Sequence, residues 1–149
     1  MEMATRPLVS IGMPVYNGER FLRASLDSLM AQDYPNLEIL ISDNASTDGT
    51  SSLCRKYAGK HANISYHRSE ENRGAVWNFW HVTELASGKY FMWAADHDLW
   101  HSSFVSKLVA ILESDPSVSL AYPLTQLIDE ADKPLELMAD RVDTRGMRP

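Results

Sequence analysis

Apolar runs of strand length alternate with stretches of helical periodicity along most of the chain, and this alternation limits the available folds more than any other feature. Leu8 to Pro14 is a mostly apolar run that breaks at Tyr16-Asn17-Gly18, where Asn17 can cap the next helix. From Glu19, the positions Phe21, Leu22, Ser25, Leu26, Leu29 and Met30 recur at helical spacing until Asp33-Tyr34-Pro35-Asn36 stops them. Leu37 to Asp43 is a second strand, and Ser46-Thr47-Asp48-Gly49-Thr50 supplies capping residues for a helix through Leu53, Cys54, Tyr57 and Ala58. Ile64 to His67 is a short third strand. It leads through Asn72-Arg73-Gly74 into a helix expected to bury Ala75, Phe79, Val82 and Ala86 and to end at Gly88 as its C′ residue. After Trp100, Ser102 or Ser103 precedes a helical stripe of Phe104, Val105, Leu108, Val109 and Leu112, stopped by Asp115-Pro116. Ser119 to Leu124 reads as a further strand, and Leu127-Ile128-Asp129 with Leu135-Glu136-Leu137 as a hairpin. The plan predicts an α/β fold, a mostly parallel Rossmann-like sheet with right-handed crossovers and helices on both faces in three layers. Ligands of such sheets bind outside the carboxyl ends of the strands.

One strand end stands out. Tyr90-Phe91-Met92-Trp93-Ala94-Ala95 is an apolar run that closes abruptly in Asp96-His97-Asp98. Converging carboxylates repel and lose hydration, and a divalent cation with oxygen ligands, Mg2+ or Mn2+, is the usual compensation. Such a cation takes one or two protein carboxylates and completes its shell with water and substrate phosphates, so a D-x-D is enough when a diphosphate is present. An acid-rich turn before a helix is the plain alternative. Pro14-Val15-Tyr16-Asn17 and Asp43-Asn44 bring ligand-grade chemistry to two further strand ends, which favours a site.

Composition narrows the class. The 149 residues suit one domain with a core, and 44% hydrophobic content is ordinary for a globular protein. A formal charge of -6 with no Lys/Arg cluster argues against nucleic acid as a partner. An acidic protein that handles phosphate needs helix N-termini, a selected Arg or a metal. Cys54 is the only cysteine, so there is no disulfide framework, and no run approaches the roughly 18 apolar residues of a spanning helix. A cytoplasmic location is expected, with room for membrane-surface association through segments outside this sequence. Trp77, Trp80 and Trp93 read as core; Trp100 is a candidate wall of a ligand site; His61, His67, His81 and His101 read as surface or packing groups.

Taken together, Val9-Ser-Ile-Gly-Met-Pro-Val-Tyr-Asn17, Ile41-Ser-Asp-Asn-Ala-Ser-Thr-Asp-Gly-Thr50, Asn72-Arg-Gly-Ala75 and Ala95-Asp-His-Asp-Leu-Trp100 resemble the family 2 glycosyltransferases of the GT-A fold, over about Leu8 to Asp129. The resemblance implies a nucleotide-sugar donor site. Pro14, Val15, Tyr16 and Glu19 would pack around the nucleoside, with Tyr16 against a base face. Asp43 would accept from the base N–H, which points to uridine with thymidine close behind. Many relatives have a second acid where this chain has Asn44, so the role is carried to Asp43 alone. Arg73 would reach the base or diphosphate. At the metal, His97 stands where relatives often have Asp, and two registers are open: Asp96 with Asp98, or His97 with Asp98. The assignment adopted is Asp98 as metal ligand, Asp96 as ribose or metal contact, and His97 as a neighbour that could also ligate.

The resemblance implies transfer of a sugar from a nucleotide diphosphate, UDP-sugar first, to a hydroxyl of a saccharide or lipid-linked saccharide, metal-dependent and inverting. The base that takes the acceptor's proton is expected beyond this chain, which would be one GT-A nucleotide-sugar domain, residues 1–149, cut short before the acceptor-binding half. Asp129, Asp132, Asp140 and Asp143 are the acids at hand, and nothing around them in sequence singles one out. The competing reading is a non-catalytic nucleotide-sugar-binding module, with self-association open. An oxidoreductase is disfavoured because the first strand ends in Pro-Val-Tyr-Asn-Gly instead of a Gly-x-Gly-x-x-Gly turn, and a nucleotidyltransferase because its Gly-rich basic loop is missing.

Overall fold

The computed structural model describes residues 6–138. Contacts divide the chain into two units, Met1–Ser106 and Lys107–Pro149. The first holds β1 (Val9–Val15), α1 (Glu19–Met30), β2 (Leu37–Asp43), α2 (Thr50–Lys60), β3 (Ile64–Arg68), α3 (Ala75–Leu85) and β4 (Tyr90–Trp93). α4 (Phe104–Ser114) runs from the first unit into the second, which also has an antiparallel hairpin of β5 (Thr125–Ile128) and β6 (Pro134–Met138).

The four strands of the first unit pair in parallel in the order β3-β2-β1-β4. Val15, Asp43 and Arg68 come level at the carboxyl ends. The chain steps outward from β1 through β2 to β3, and α3 then carries it back past β1 to β4. Strand order therefore reverses between β1 and β4, the place where sheets of this kind leave a crevice for ligands.

Burial explains why these strands lie at the centre. Val9, Ile11, Met13 and Val15 share one face of β1 by the two-residue period, and all are buried, as are Ile39 and Ile41 of β2. α1 buries Leu22, Leu26 and Leu29, each contributing about 1.5–3 kcal/mol. The other face of β1 is small: a Cβ on Gly12 would lie 2.8 Å from both Phe91 and Val82, so glycine there lets α3 and β4 approach closely.

Several expectations change. α3 ends at Leu85, and Gly88 serves another purpose: its amide donates to Ser10 Oγ at 2.8 Å and a Cβ would sit 2.8 Å from the Leu8 carbonyl. Gly18, not Asn17, is the N-cap of α1. Trp80 is 66% and Trp93 51% exposed, and Trp77 is half-buried, so the three do not form a core. With Ala75, Val76 and Phe79, which are exposed as well, Trp80 and Trp93 line an apolar groove of about 450 Å³ between α3 and β4. α3 is apolar nearly all round, and one flat sheet face can cover only part of such a helix. Ser119–Leu124 forms no strand; Leu120 and Leu124 are exposed, and an alternating pattern makes a strand only where a neighbour accepts its hydrogen bonds.

Cys54 is buried, and burial, helped by the Asp43 charge, pushes its thiol pKa up to about 12. The native protein is expected to resist alkylation at neutral pH and to react once unfolded in urea. Comparable labelling rates in both states would show that Cys54 is accessible in the fold.

Candidate donor-binding site

The carboxyl ends of β1 and β2 are tied together by polar groups from two loops far apart in sequence. Asn17 adopts the left-handed conformation (φ 54°), tolerable for Asn, and exchanges contacts with the next loop: its amide donates to Ser46 Oγ at 2.9 Å, and its Oδ1 accepts from the Thr47 amide at 2.8 Å. The Glu19 amide donates to Asp48 Oδ2 at 3.2 Å, while the Gly49 amide donates to Glu19 Oε2 at 2.8 Å. Glu19 and Asp48 thus cap the starts of α2 and α1 reciprocally, so the Glu19 carboxylate is engaged in the scaffold.

Asp43 is fully buried. Its Oδ1 accepts from the Ser46 amide at 2.8 Å; its Oδ2 accepts from the Tyr66 hydroxyl at 2.7 Å and the Arg68 guanidinium at 2.6 Å. Burial pushes this carboxyl up, and the bonds from Ser46, Tyr66 and Arg68 more than offset it, leaving the pKa below the ordinary value. Asp43 therefore acts as an internal anchor that joins β2, β3 and the following loop.

Its neighbour Asn44, also buried, lies at the wall of a cavity of about 220 Å³ that Pro14, Val15, Tyr16, Asn72 and Asn78 line as well. Tyr16, 47% exposed, forms one wall. Asn44 Nδ2 donates to Asn72 Oδ1 at 2.8 Å and to the Gly74 carbonyl at 3.1 Å, and its Oδ1 accepts from the Arg73 amide at 2.9 Å. Asn44 thereby fixes the loop that carries Arg73. Gly74 follows with φ +85°, a value that disfavours any side chain. The Arg73 side chain, 51% exposed, stacks 4.9 Å from the Trp77 ring centre with Glu71 3.9 Å away. Sequence reasoning placed Asn44 and Asn72 in motifs without giving either a role, and missed Asn78; strand alternation alone separates Asp43 from Asn44 but leaves open which one faces the cavity.

β4 delivers the acidic end. Asp96 Oδ1 lies 2.8 Å from His97 Nδ1, and a Cβ on Gly18 would overlap Asp96 Oδ2, which places that carboxylate at the head of α1. Asp98 is exposed, and among the described residues its carboxylate has no hydrogen-bond or ion-pair partner. Its backbone is held instead: Ser25 Oγ donates to the Asp98 carbonyl at 2.8 Å, the Trp100 amide to Ser28 Oγ at 3.2 Å, and Gln32 Nε2 to the His101 carbonyl at 2.9 Å. Ser25 and Ser28 of α1, with Gln32 just past its C-terminal end, thus grip the loop that presents Asp98. No group of three or more His, Cys, Asp or Glu comes together among the described residues. That donor set fits a cation finished by diphosphate and water better than a protein-only cage. Of the acids considered for the base, Asp129 accepts from the Ala131 and Lys133 amides in the hairpin turn and Asp132 has φ 60°; Asp140 and Asp143 lie outside the described residues. No helix among the described residues is long and apolar enough to cross a membrane.

Comparison with known proteins identifies the fold and the family. An uncharacterized glycosyltransferase of Rickettsia typhi is 33% identical over 126 residues, covering 83% of this chain and 38% of that protein. Among solved structures, a mannosyltransferase from Pyrobaculum calidifontis in complex with GDP-Man and Mn2+ superposes with a TM-score of 0.70 at 31% identity, over 77% of this chain and 34% of that one. S. aureus TarS 1-349 in complex with UDP-GlcNAc does so with a TM-score of 0.67 at 25% identity, over 72% and 31%. The sheet is that of the GT-A fold, and the chain spans about a third of the length of these relatives. With the family signature of Glycosyl transferase family 2 matching residues 10–139, this chain belongs to that family.

Proposed function

We propose that the chain forms the donor-binding part of an inverting, metal-dependent transferase that moves a sugar from a nucleoside diphosphate, UDP foremost, to a hydroxyl of a saccharide or lipid-linked saccharide. The observation that carries this reading is the cavity at the carboxyl ends of β1 and β2, walled by Pro14, Val15 and Tyr16 and rimmed by Asn44 and Asn72. Tyr16 offers a half-exposed ring to a base face. Arg73 and the open N-terminus of α3 supply positive potential for a diphosphate. The base is assigned to this cavity, where Tyr16 presents its ring, while the hydrogen bonds on Asp43 and Glu19 hold the loops around it. Complexes of structural neighbours with UDP-GlcNAc and with GDP-Man and Mn2+ support both the ligand class and the cation.

Asp98, with Asp96 and His97 beside it, would hold the cation. When bound, it supplies Lewis-acid stabilisation of charge on the departing diphosphate. Ser25 keeps Asp98 in place through its carbonyl, and Gly18 leaves room for the Asp96 carboxylate. The acceptor's proton requires a carboxylate base, and Asp129 in the described hairpin is instead engaged in shaping the turn.

Calorimetric titration of UDP with and without Mn2+, repeated on Asp98→Ala, tests the reading. Binding that needs both Mn2+ and Asp98 is the expected result. Binding of GDP or TDP in place of UDP would reassign the base, and absence of binding by all three to the folded protein would refute the donor site.

A further inference from the structure

We propose that the open edge of β4 and the apolar shelf beside it form the surface on which two copies of this chain pair, with β4 antiparallel to β4 of the second copy across a twofold axis. This pairing does not depend on what the chain binds at the carboxyl ends of β1 and β2.

β4 ends its side of the sheet: β1 pairs with it on one side, and no described strand lies on the other. The Tyr90 amide donates to the Leu8 carbonyl at 3.3 Å and the Ala94 amide to the Gly12 carbonyl at 2.9 Å. By the two-residue period of a strand, the amides and carbonyls of Phe91 and Trp93 therefore point outward, away from β1. Edges of this kind are guarded by charge, proline or a cover, and Tyr90-Phe91-Met92-Trp93 carries neither charge nor proline. The side chains of the same two residues stand on the α3 face, where Phe91 and Val82 meet over Gly12. Trp93 Nε1 donates to the Phe79 carbonyl at 3.2 Å, and the Phe91 and Trp93 rings meet edge to face at 5.1 Å. α3 extends this aromatic surface: Val76 is 73%, Phe79 47% and Trp80 66% exposed, beside Trp93 at 51%. Together the four present on the order of 500 Å² of apolar surface, a size at which a patch on a monomer is often functional. That is over half of the about 800 Å² that each partner contributes to a stable pair.

A second copy is the occupant that fits. The groove is lined by Ala75, Val76, Phe79, Trp80 and Trp93, with no charged group, so a partner recognised by charge finds nothing to pair with. What matches it is another uncharged shelf flanked by an open strand, and the chain itself supplies one. Antiparallel pairing about an axis perpendicular to the sheet keeps α3 of both copies on the same face. Shelf then meets shelf, the outward groups of Phe91 and Trp93 find partners, and the contact closes on itself as an isologous pair. Two outward residues per strand give few hydrogen bonds, so the aromatic side chains supply most of the affinity.

Sedimentation equilibrium of the full chain from low to high micromolar concentration tests the pairing. The mass of two chains is expected at the upper end, with dissociation on dilution. Trp80→Glu, at an exposed position outside the cavity of Asn44 and Tyr16, should weaken pairing roughly 30-fold or more, because a central tryptophan is lost and two like charges are brought together. Trp93→Ala should weaken it through the shelf alone. Trp93→Pro should weaken it further, since proline also removes one outward amide while the inward bonds of Tyr90 and Ala94 remain. Leu135→Glu, which changes an exposed leucine of the hairpin, should leave pairing unchanged. Circular dichroism confirms that each variant folds. A single-chain mass at every concentration overturns the proposal. So does pairing that survives Trp80→Glu and is lost in Leu135→Glu, which would move the contact to the hairpin. Equal effects of Trp93→Ala and Trp93→Pro would overturn the strand pairing.

Discussion

Replacing Asp43 with alanine is expected to cost about 3 kcal/mol, the low end for breaking a buried charge pair, because Arg68 stays 32% exposed and can rehydrate. The Ser46 amide and the Tyr66 hydroxyl lose their acceptor at the same time. At this chain length the melting temperature should fall by about 10 °C. Asp43→Asn keeps the volume but turns one acceptor into a donor among donors, so it should recover only part of the loss. The direction of the pKa shift sets the pH dependence. The folded pKa of Asp43 lies below its unfolded value, so its contribution is present above about pH 4 and is lost as pH falls through the folded pKa. Wild type and Asp43→Ala should therefore differ most near neutrality and converge in acid. Melting curves that stay parallel from pH 7 to pH 3 would show that this carboxylate is no anchor.

Asn78→Ala should cost about 2–3 kcal/mol, and Asn78→Asp more. The side chain is 3% exposed on α3, and it joins the ends of two neighbouring strands. Its Nδ2 donates to the Ser42 carbonyl at 3.0 Å and the Val15 carbonyl at 3.3 Å, and its Oδ1 accepts from Ser42 Oγ at 2.5 Å. Alanine strands the Ser42 hydroxyl, although the Val15 carbonyl keeps the bond from the Asn44 amide at 3.0 Å. Aspartate fits the space but aims an oxygen at two carbonyl oxygens and buries a charge, so shape alone does not rescue it. Urea unfolding with an unchanged m-value would separate the two costs. An aspartate variant more stable than the alanine one would mean that the amide donors contribute little. Asn78 lines the same cavity as Val15 and Tyr16, so its loss should also loosen the wall on which the nucleoside is proposed to rest.

Much of the architecture was legible because its signals are local. β2 runs from Leu37 to Asp43 as the apolar run predicts, and β1 differs from its expected span by one residue at each end. Of the expected α1 stripe, Leu22, Ser25, Leu26 and Leu29 are buried, whereas Phe21 is exposed and Met30 half-buried at its edges. The misreadings have a common cause. Trp80 and Trp93 look like core residues by composition, yet β4 is the edge of the sheet and leaves their side of α3 open. Ser119 to Leu124 has the alternation of a strand but no strand pairs with it among the described residues. Hydrophobicity tells which residues favour burial, and the number of neighbours decides which of them achieve it.

The sequence by itself determined the α/β plan, the parallel order of construction and the strand ends at which chemistry gathers, because periodicity, caps and turn residues act over a few positions. Only the tertiary structure decided which partners each polar residue at those ends meets. Asp43 and Asn44 are adjacent, and so are Asp96, His97 and Asp98, so no local pattern distinguishes anchor from ligand within either set. Their surroundings were set by groups remote in sequence: Ser46, Tyr66 and Arg68 engage Asp43, Gly18 receives Asp96, and Ser25 holds Asp98 by its backbone. A carboxylate is a scaffold element or a binding group according to which partners reach it, and strand pairing and helix packing bring those partners.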